Sequence, residues 1–243
     1  MVREHIVFTY ESQNKYTMKL IALGCSLTEH SNWVWHLSRL IGIPAHNYGI
    51  SSSSNLLQVH RFQELVLSNT IESDDLLIWQ ITGATRIHKR ISDIDAVNEG
   101  VKKLKNIKRH HINSVIPNVF DQQTRFDLLS HSPLINAEST IAHDSAQDLQ
   151  TLLANIIMAS KICRVLVFVG WDDALVIDEI NYSTALFDLL TQHSVPYISN
   201  SYVEWTRDSN LPFWEDGWHP SETAGIAFAE QVLHPTLKQL EYI

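Results

Sequence analysis

Short apolar runs alternate with longer amphipathic stretches along most of the chain. The run from Leu76 to Trp79 is apolar at every position, as expected of a strand that is covered on both faces. Stretches with a period of about 3.6 residues separate such runs and predict helices. The alternation therefore predicts an α/β fold, with about five parallel strands between two layers of helices. The predicted strands are 19–23, 44–48, 75–81, 165–169 and 195–199.

The predicted helices connect these strands and close the chain. Asn32 is a candidate N-cap for the first helix, and Gly42 ends it. Residues from about 111 to 140 show no clear period, and we expect them to form an irregular excursion. We expect residues 1–18 to be an N-terminal extension and residues 19–243 to form a single domain. The other predicted helices cover 56–66, 97–107, 148–162, 185–190 and the segment from 222 onward.

Composition and charge exclude several classes of protein. The chain has 243 residues, of which 44% are hydrophobic, and a net charge of −9, which argues against broad nucleic-acid binding. Two cysteines are too few for a disulfide-rich scaffold or a thiolate zinc site. The 13 histidines show no metal-ligand spacing, so we expect no metal and no cofactor. Since neither a secretory signal pattern nor an apolar run of about 18 residues is evident, we expect a cytoplasmic protein without a membrane partner.

Polar residues with catalytic potential follow the predicted strands, where open α/β sheets collect their sites. Ser26 lies at a strand-to-helix turn that can expose its hydroxyl. Asp216 and His219 are three residues apart, so the carboxylate can reach the near ring nitrogen while the far nitrogen faces outward. Gly49 permits a close backbone approach, so its N–H can donate to an oxyanion. These residue types predict nucleophilic catalysis by an activated serine.

Three of these segments, in this order, resemble the sequence blocks of the SGNH (GDSL-type) hydrolases. The segment Gly24-Cys25-Ser26-Leu27-Thr28 resembles the first block. The pattern Asn47-x-Gly49, followed by 51–55, resembles the second block, and Asp216-x-x-His219-Pro220 resembles the last. The resemblance extends from about residue 19 to the end of the chain. It implies a three-layer α/β/α sandwich with a five-stranded parallel sheet in flavodoxin-like order.

The resemblance also implies a role for each matching residue. Ser26 is then the nucleophile, His219 the general base and Asp216 the carboxylate that orients the base. The N–H groups of Ser26 and Gly49 form the oxyanion hole. The implied activity is that of an esterase that forms an acyl-enzyme without a cofactor. We expect a small substrate, such as an O-acyl or O-acetyl group on a carbohydrate or other polar molecule.

The third block departs from the family pattern of Gly-x-Asn-Asp, since the chain has Gly83-Ala84-Thr85-Arg86 there. Thr85 takes the place of the asparagine and is a candidate third oxyanion donor. Arg86 either turns into the hole or holds an anionic part of the substrate, because its guanidinium suits carboxylate, sulfate or phosphate. Eight basic and three acidic residues lie between 86 and 111; they form either a solvated helix face or a patch that guides an anionic substrate toward the site. Cys25 replaces the usual aspartate, and we expect its side chain to point into the core.

Two other interpretations stay open at the level of sequence. The same triad serves an O-acyltransferase in which a sugar hydroxyl replaces water. The missing asparagine of the third block instead favours a binding protein that kept the fold and lost turnover. Trp218, inside the last block, either lines a substrate pocket or packs on the terminal helix. The sequence does not indicate the oligomeric state.

Overall fold

A sheet of five parallel strands forms the centre of the protein. The structure is a computed structural model, and of the described residues between 86 and 145 it gives the backbone alone. The described residues are 18–51, 53–84, 86–91, 112–117, 125–130, 138–172, 174–177 and 180–243. The strands in chain order are β1 (Leu20–Leu23), β2 (Ala45–Asn47), β3 (Leu76–Ile81), β4 (Arg86–Ile91), β5 (Ile112–Pro117), β6 (Arg125–Ser130), β7 (Arg164–Val169), β8 (Val176–Ile177), β9 (Ile180–Asn181) and β10 (Tyr197–Ile198).

The central sheet has the order β2-β1-β3-β7-β10, and each neighbouring pair is parallel. The predicted α/β class and flavodoxin-like order are therefore confirmed. The helices in chain order are α1 (Ser26–Glu29), α2 (Trp33–Ile41), α3 (Asn55–Leu67), α4 (Glu138–Ala159), α5 (Ser183–Gln192), α6 (Tyr202–Asp208), α7 (Glu222–Phe228) and α8 (His234–Gln239), with a π-helical turn at Ala229–Leu233.

Helices cover both faces of this sheet because β1 and β3 are apolar on both sides. Alternate side chains of these strands enter two separate cores, so Leu77 and Trp79 face one core while Leu76 and Ile78 face the other. Residues of α3, α4 and α5 complete the first core, and residues of α2, α6 and α7 complete the second. Every residue of β1 and β3 is buried. The result is the predicted three-layer sandwich.

The candidate active site lies where the strand order of the central sheet reverses. After β1 the chain adds β2 on one side, whereas β3 and then β7 lie on the other side of β1. Loops that leave such a reversal point diverge and open a crevice at the carboxyl ends of the strands. Ser26 follows β1 at this edge, and Gly83 follows β3.

Several helix ends follow local sequence rules. Gly42 ends α2 in the left-handed conformation (φ 71°), as predicted. Asn32 precedes α2 as expected, but it is left-handed (φ 59°) and its side chain caps nothing. The side chains of Ser54, Ser201 and Ser221 instead cap α3, α6 and α7. No helix in the described part of the chain is both long and apolar enough to cross a bilayer.

The expectation of an irregular excursion at 111–140 is wrong in part. Strands β5 and β6 lie inside it and pair antiparallel, and β6 also pairs with β4, which gives a three-stranded sheet in the order β4-β6-β5. These six-residue strands mix polar and apolar positions without a regular period. The hydrophobic pattern therefore did not predict them. The helix predicted at 97–107 lies outside the described residues, as does nearly all of the extension at 1–18. The division into an extension and one domain stays a prediction.

Candidate active site

Ser26 lies at the first position of α1, directly after the turn that ends β1. Cys25 precedes the helix in extended conformation, with its side chain in the core as expected. Ser26 is largely buried, with 8% of its surface exposed. Its Oγ lies 2.9 Å from Nε2 of His219, across 193 positions of sequence. The structure thus brings together the serine and the histidine that the sequence blocks single out.

Asp216 completes this chain of hydrogen bonds. Its Oδ2 lies 2.6 Å from Nδ1 of His219, and its Oδ1 accepts the backbone N–H groups of Trp218 (2.8 Å) and His219 (3.0 Å). The carboxylate therefore favours the tautomer in which Nδ1 carries the proton and Nε2 is free to accept one. That arrangement is the one that a serine nucleophile requires of its base.

A tight loop brings Asp216 and His219 together. The N–H of Trp214 donates to the carbonyl of His219 at 2.8 Å, and the N–H of Gly217 donates to the carbonyl of Trp214 at 2.9 Å. Gly217 has φ 71° with open space around it, so the turn itself requires glycine. Residues 212–221, which we call the acid–base loop, thus present the carboxylate and imidazole mainly through their own backbone.

The pKa of Asp216 lies below its ordinary value. Desolvation raises this pKa, but the hydrogen bonds from the backbone N–H groups of His219 and Trp218 outweigh it, together with the hydrogen bond and charge of the His219 ring. Asp216 therefore stays ionised over the range in which a histidine base changes its charge. An ionised carboxylate is the form that stabilises a developing imidazolium.

Two tryptophans flank the imidazole of His219. Trp171, which follows β7, meets the ring edge-to-face at a centroid distance of 5.3 Å. Trp214 lies at 6.4 Å in a tilted arrangement and is 40% exposed. Trp218 is 72% exposed, so little of its surface packs on the rest of the protein, and its role in a substrate pocket stays a prediction. Trp205 packs against Phe228 instead, so it belongs to the core margin.

The structure gives Gly49 a contact that the sequence did not suggest. Its N–H donates to Oδ1 of Asn47 at 2.9 Å, and a Cβ on Gly49 would lie 2.6 Å from the backbone nitrogen of Glu29. The close contact that the structure shows at Gly49 is thus with the end of α1. Its part in an oxyanion hole stays a prediction, and it requires the bond to Asn47 to open or to be shared.

Little can be said of the side chains of the third block, residues 83–86. Thr85 lies outside the described residues, and of Arg86 only the backbone, at the start of β4, is described. Their predicted roles in the oxyanion hole and in substrate binding stay predictions. No three metal-ligating side chains converge in the described part of the chain.

Buried polar residues beneath the site were missed by sequence reasoning. The Asn55 amide donates to the carbonyl of Thr82 (3.1 Å) and accepts its N–H (3.0 Å), which ties the start of α3 to the end of β3. Ser53 Oγ donates to the carbonyl of Gly24 at 3.0 Å. Gln80 contacts the Ser26 turn from below. A glutamine within the apolar stretch of β3 was the available signal, because such a group must find partners when buried.

Comparisons with known proteins identify the fold. No family model and no curated protein matches this sequence. A lipolytic protein of the G-D-S-L family from Veillonella parvula DSM 2008 matches in structure with 14% identity and a TM-score of 0.51, over 89% of this chain and 97% of that one. TesA matches with 15% identity and a TM-score of 0.52, over 91% and 99%.

A third similar structure is the psychrotrophic esterase EstA from Pseudoalteromonas sp., inhibited by monoethylphosphonate. It shares 12% identity and a TM-score of 0.50, over 92% of this chain and 98% of that one. Likeness at such low identity concerns the fold. The chain therefore has the SGNH hydrolase fold of the G-D-S-L lipolytic proteins, as its three sequence blocks predicted.

Proposed function

We propose that this protein is a serine hydrolase that cleaves a small ester through an acyl-enzyme on Ser26. The observation that carries the proposal is the continuous chain from Ser26 Oγ to His219 Nε2 (2.9 Å) and from His219 Nδ1 to Asp216 Oδ2 (2.6 Å). It is assembled at the crevice where open α/β sheets place their sites. The shared fold with G-D-S-L lipolytic proteins supports ester hydrolysis as the reaction class.

The geometry supports the following sequence of steps. Ser26 Oγ attacks the ester carbonyl carbon as its proton passes to His219 Nε2. Asp216 stabilises the imidazolium, which then protonates the leaving alcohol as the ester bond breaks. Water enters, gives a proton to His219 and attacks the acyl carbon. The carboxylic acid leaves as the proton returns to Ser26 Oγ, and the site is restored.

Charge develops on the carbonyl oxygen in both tetrahedral intermediates. The N–H of Ser26 opens α1 and has no acceptor within the described residues, so it is available as a first donor. Gly49 and Thr85 are the further donors that the resemblance implies. Each preorganised donor is worth roughly 100- to 1000-fold in rate.

For the substrate we propose an O-acyl group, such as acetyl, on a carbohydrate or other polar molecule. The exposed Trp214, whose ring lies 6.4 Å from that of His219, supports this proposal, because an indole face near the base suits the apolar face of a sugar ring; the exposed Trp218 precedes His219 in sequence and is our second candidate. Arg86 is our candidate for holding an anionic group on such a substrate.

Hydrolysis of p-nitrophenyl acetate, measured with the wild type and the Ser26→Ala variant, tests the function. We expect turnover by the wild type and a loss of about 10⁶-fold in kcat for the variant. A fluorophosphonate should label the wild type on Ser26, as the inhibition of EstA by a phosphonate suggests. Ser160→Ala is the matched control, because Ser160 follows α4 at the opposite edge of the sheet and its Oγ only donates to the carbonyl of Ile157.

Absence of turnover together with absence of label on Ser26 would overturn the hydrolase proposal. A second measurement separates hydrolysis from acyl transfer, since both use the same acyl-enzyme. With a sugar added as acceptor, a transferase yields the acylated sugar at the expense of free acetate. A hydrolase yields free acetate at an unchanged rate.

A further inference from the structure

Gln80 is a buried amide directly beneath the turn that carries Ser26. It lies near the end of β3, and none of its surface is exposed. Its Oε1 accepts the backbone N–H of Cys25 at 3.0 Å and the hydroxyl of Thr28 at 2.9 Å. Its Nε2 donates to the carbonyl of Ile81 at 3.2 Å and lies 3.3 Å from Sγ of Cys25. One side chain thus holds groups on both sides of the serine.

The neighbouring strands leave space for this side chain. A Cβ on Gly24, at the end of β1, would lie 2.6 Å from Oε1 of Gln80, and one on Gly170, at the end of β7, would lie 2.1 Å from Nε2. Real Cβ atoms do not approach other atoms so closely. The two glycines therefore enclose the amide between the strands that flank β3, and this packing fixes the position of both its oxygen and its nitrogen.

We propose that Gln80 is the positioning residue for Ser26. By accepting hydrogen bonds from Cys25 and Thr28, it fixes the first turn of α1 and so the direction of Ser26 Oγ toward His219. The proposal rests on the proposed function in one respect, that Ser26 is the nucleophile. Displacement of a reacting group by about 1 Å is enough to cost roughly 100-fold in rate, so a loosened turn acts mainly on kcat.

The test replaces Gln80 by methionine, which keeps the shape of the side chain and removes its acceptor. Gln58→Met is the matched control, because Gln58 is also buried and accepts a single hydrogen bond, at 2.8 Å, from Nε1 of Trp79. Gln80→Met removes the acceptor of two buried donors, the Cys25 N–H and the Thr28 hydroxyl, and Gln58→Met removes the acceptor of one, the Trp79 indole N–H. We expect Gln80→Met to lower kcat for p-nitrophenyl acetate by about 100-fold with KM changed less than about threefold. We expect Gln58→Met to keep the wild-type kcat.

Gln80→Glu supplies a rescue and covers the case in which the methionine variant fails to fold. A neutral carboxyl has the shape of the amide, keeps an acceptor for Cys25 and Thr28, and donates to Ile81. When ionised it faces the Ile81 carbonyl and the Cys25 sulfur without a donor. We therefore expect the ratio of variant to wild-type kcat to be highest at low pH and to fall as pH rises. A ratio that stays low at every pH overturns the proposal.

Amide hydrogen exchange tests whether Gln80 holds the turn at Cys25, without any measurement of activity. The N–H of Cys25 should exchange faster in Gln80→Met than in Gln58→Met when both are compared at equal stability. Equal exchange, or an equal loss of kcat in both variants, shows a merely structural role and overturns the proposal. If the wild type neither turns over nor becomes labelled, the proposed function fails, and the exchange experiment still decides whether Gln80 holds the turn.

Discussion

The two halves of the candidate active site are held in opposite ways. The nucleophile turn, residues 24–28, is buried, and its bracing partner Gln80 is more than 50 positions away in sequence. The acid–base loop is largely exposed, and its key hydrogen bonds join residues two to five positions apart. Buried long-range contacts couple a residue to the stability of the whole fold. Exposed local contacts do not.

This difference predicts two kinds of variant. A change in the acid–base loop should remove activity and leave the free energy of unfolding nearly unchanged. A change around the nucleophile turn should lower both, because the same buried contacts serve the core and the serine. The measurements below test this comparison in order of decreasing effect.

The largest effect is expected for His219→Ala. Without a base, Ser26 keeps its proton, and kcat should fall by about 10⁶-fold. Because the imidazole is partly exposed, the free energy of unfolding should change by less than about 1 kcal/mol. Ester hydrolysis and urea unfolding measure the two quantities on one sample. A strongly destabilised variant would contradict the view that this loop is independent of the core.

Asp216→Asn should lower kcat by about 10⁴-fold, because an amide can hold the imidazole in the wrong tautomer. Glu215→Gln is the matched control, since it also neutralises an exposed carboxylate and lies next to Asp216. We expect the control to retain the wild-type kcat. If both variants lose activity equally, the loop needs negative charge in general, and the specific bond to His219 is unimportant.

A pair of glycine substitutions compares the two regions in stability. In Gly170→Ala the new methyl group meets Gln80, so we expect a loss of about 1–3 kcal/mol and a lower kcat. In Gly217→Ala nothing lies within 4 Å of the new Cβ, and only the left-handed backbone is strained. We expect about 1 kcal/mol there. Thermal unfolding of both variants measures the difference, and equal losses would contradict the contrast in packing.

The smallest effect is the dependence of stability on pH. The pKa of Asp216 in the folded protein is below the ordinary value of 3.8, so ionised Asp216 contributes stability above that value. This contribution is lost as pH falls through the lowered pKa. It should be small because the carboxylate is largely exposed. Unfolding of the wild type and of Asp216→Asn between pH 5 and about pH 2 should show the difference shrinking with acid.

Much of the fold was readable in the sequence. Contiguous apolar runs predicted β1, β3 and β7, since strands buried on both faces admit few polar residues. Gly42 marked the end of α2 because its left-handed backbone favours glycine. The antiparallel sheet of β4, β5 and β6 was not predicted, because its strands mix polar and apolar residues and form no contiguous apolar run. The position of Asn32 before α2 was predicted, but its left-handed backbone conformation was not.

By itself, the sequence determined the parts of the site that depend on neighbouring residues. The spacing of Asp216 and His219 predicts their hydrogen bond, because three residues of a tight turn bring the two side chains together. Only the tertiary structure decided that Ser26 meets His219, that the Gly49 N–H bonds to Asn47, and that Gln80 braces the serine. The Ser26–His219 and Gln80 contacts join residues 52 to 193 positions apart, and Gly49 presses against α1, so they exist only once the strands have paired and the loops have met.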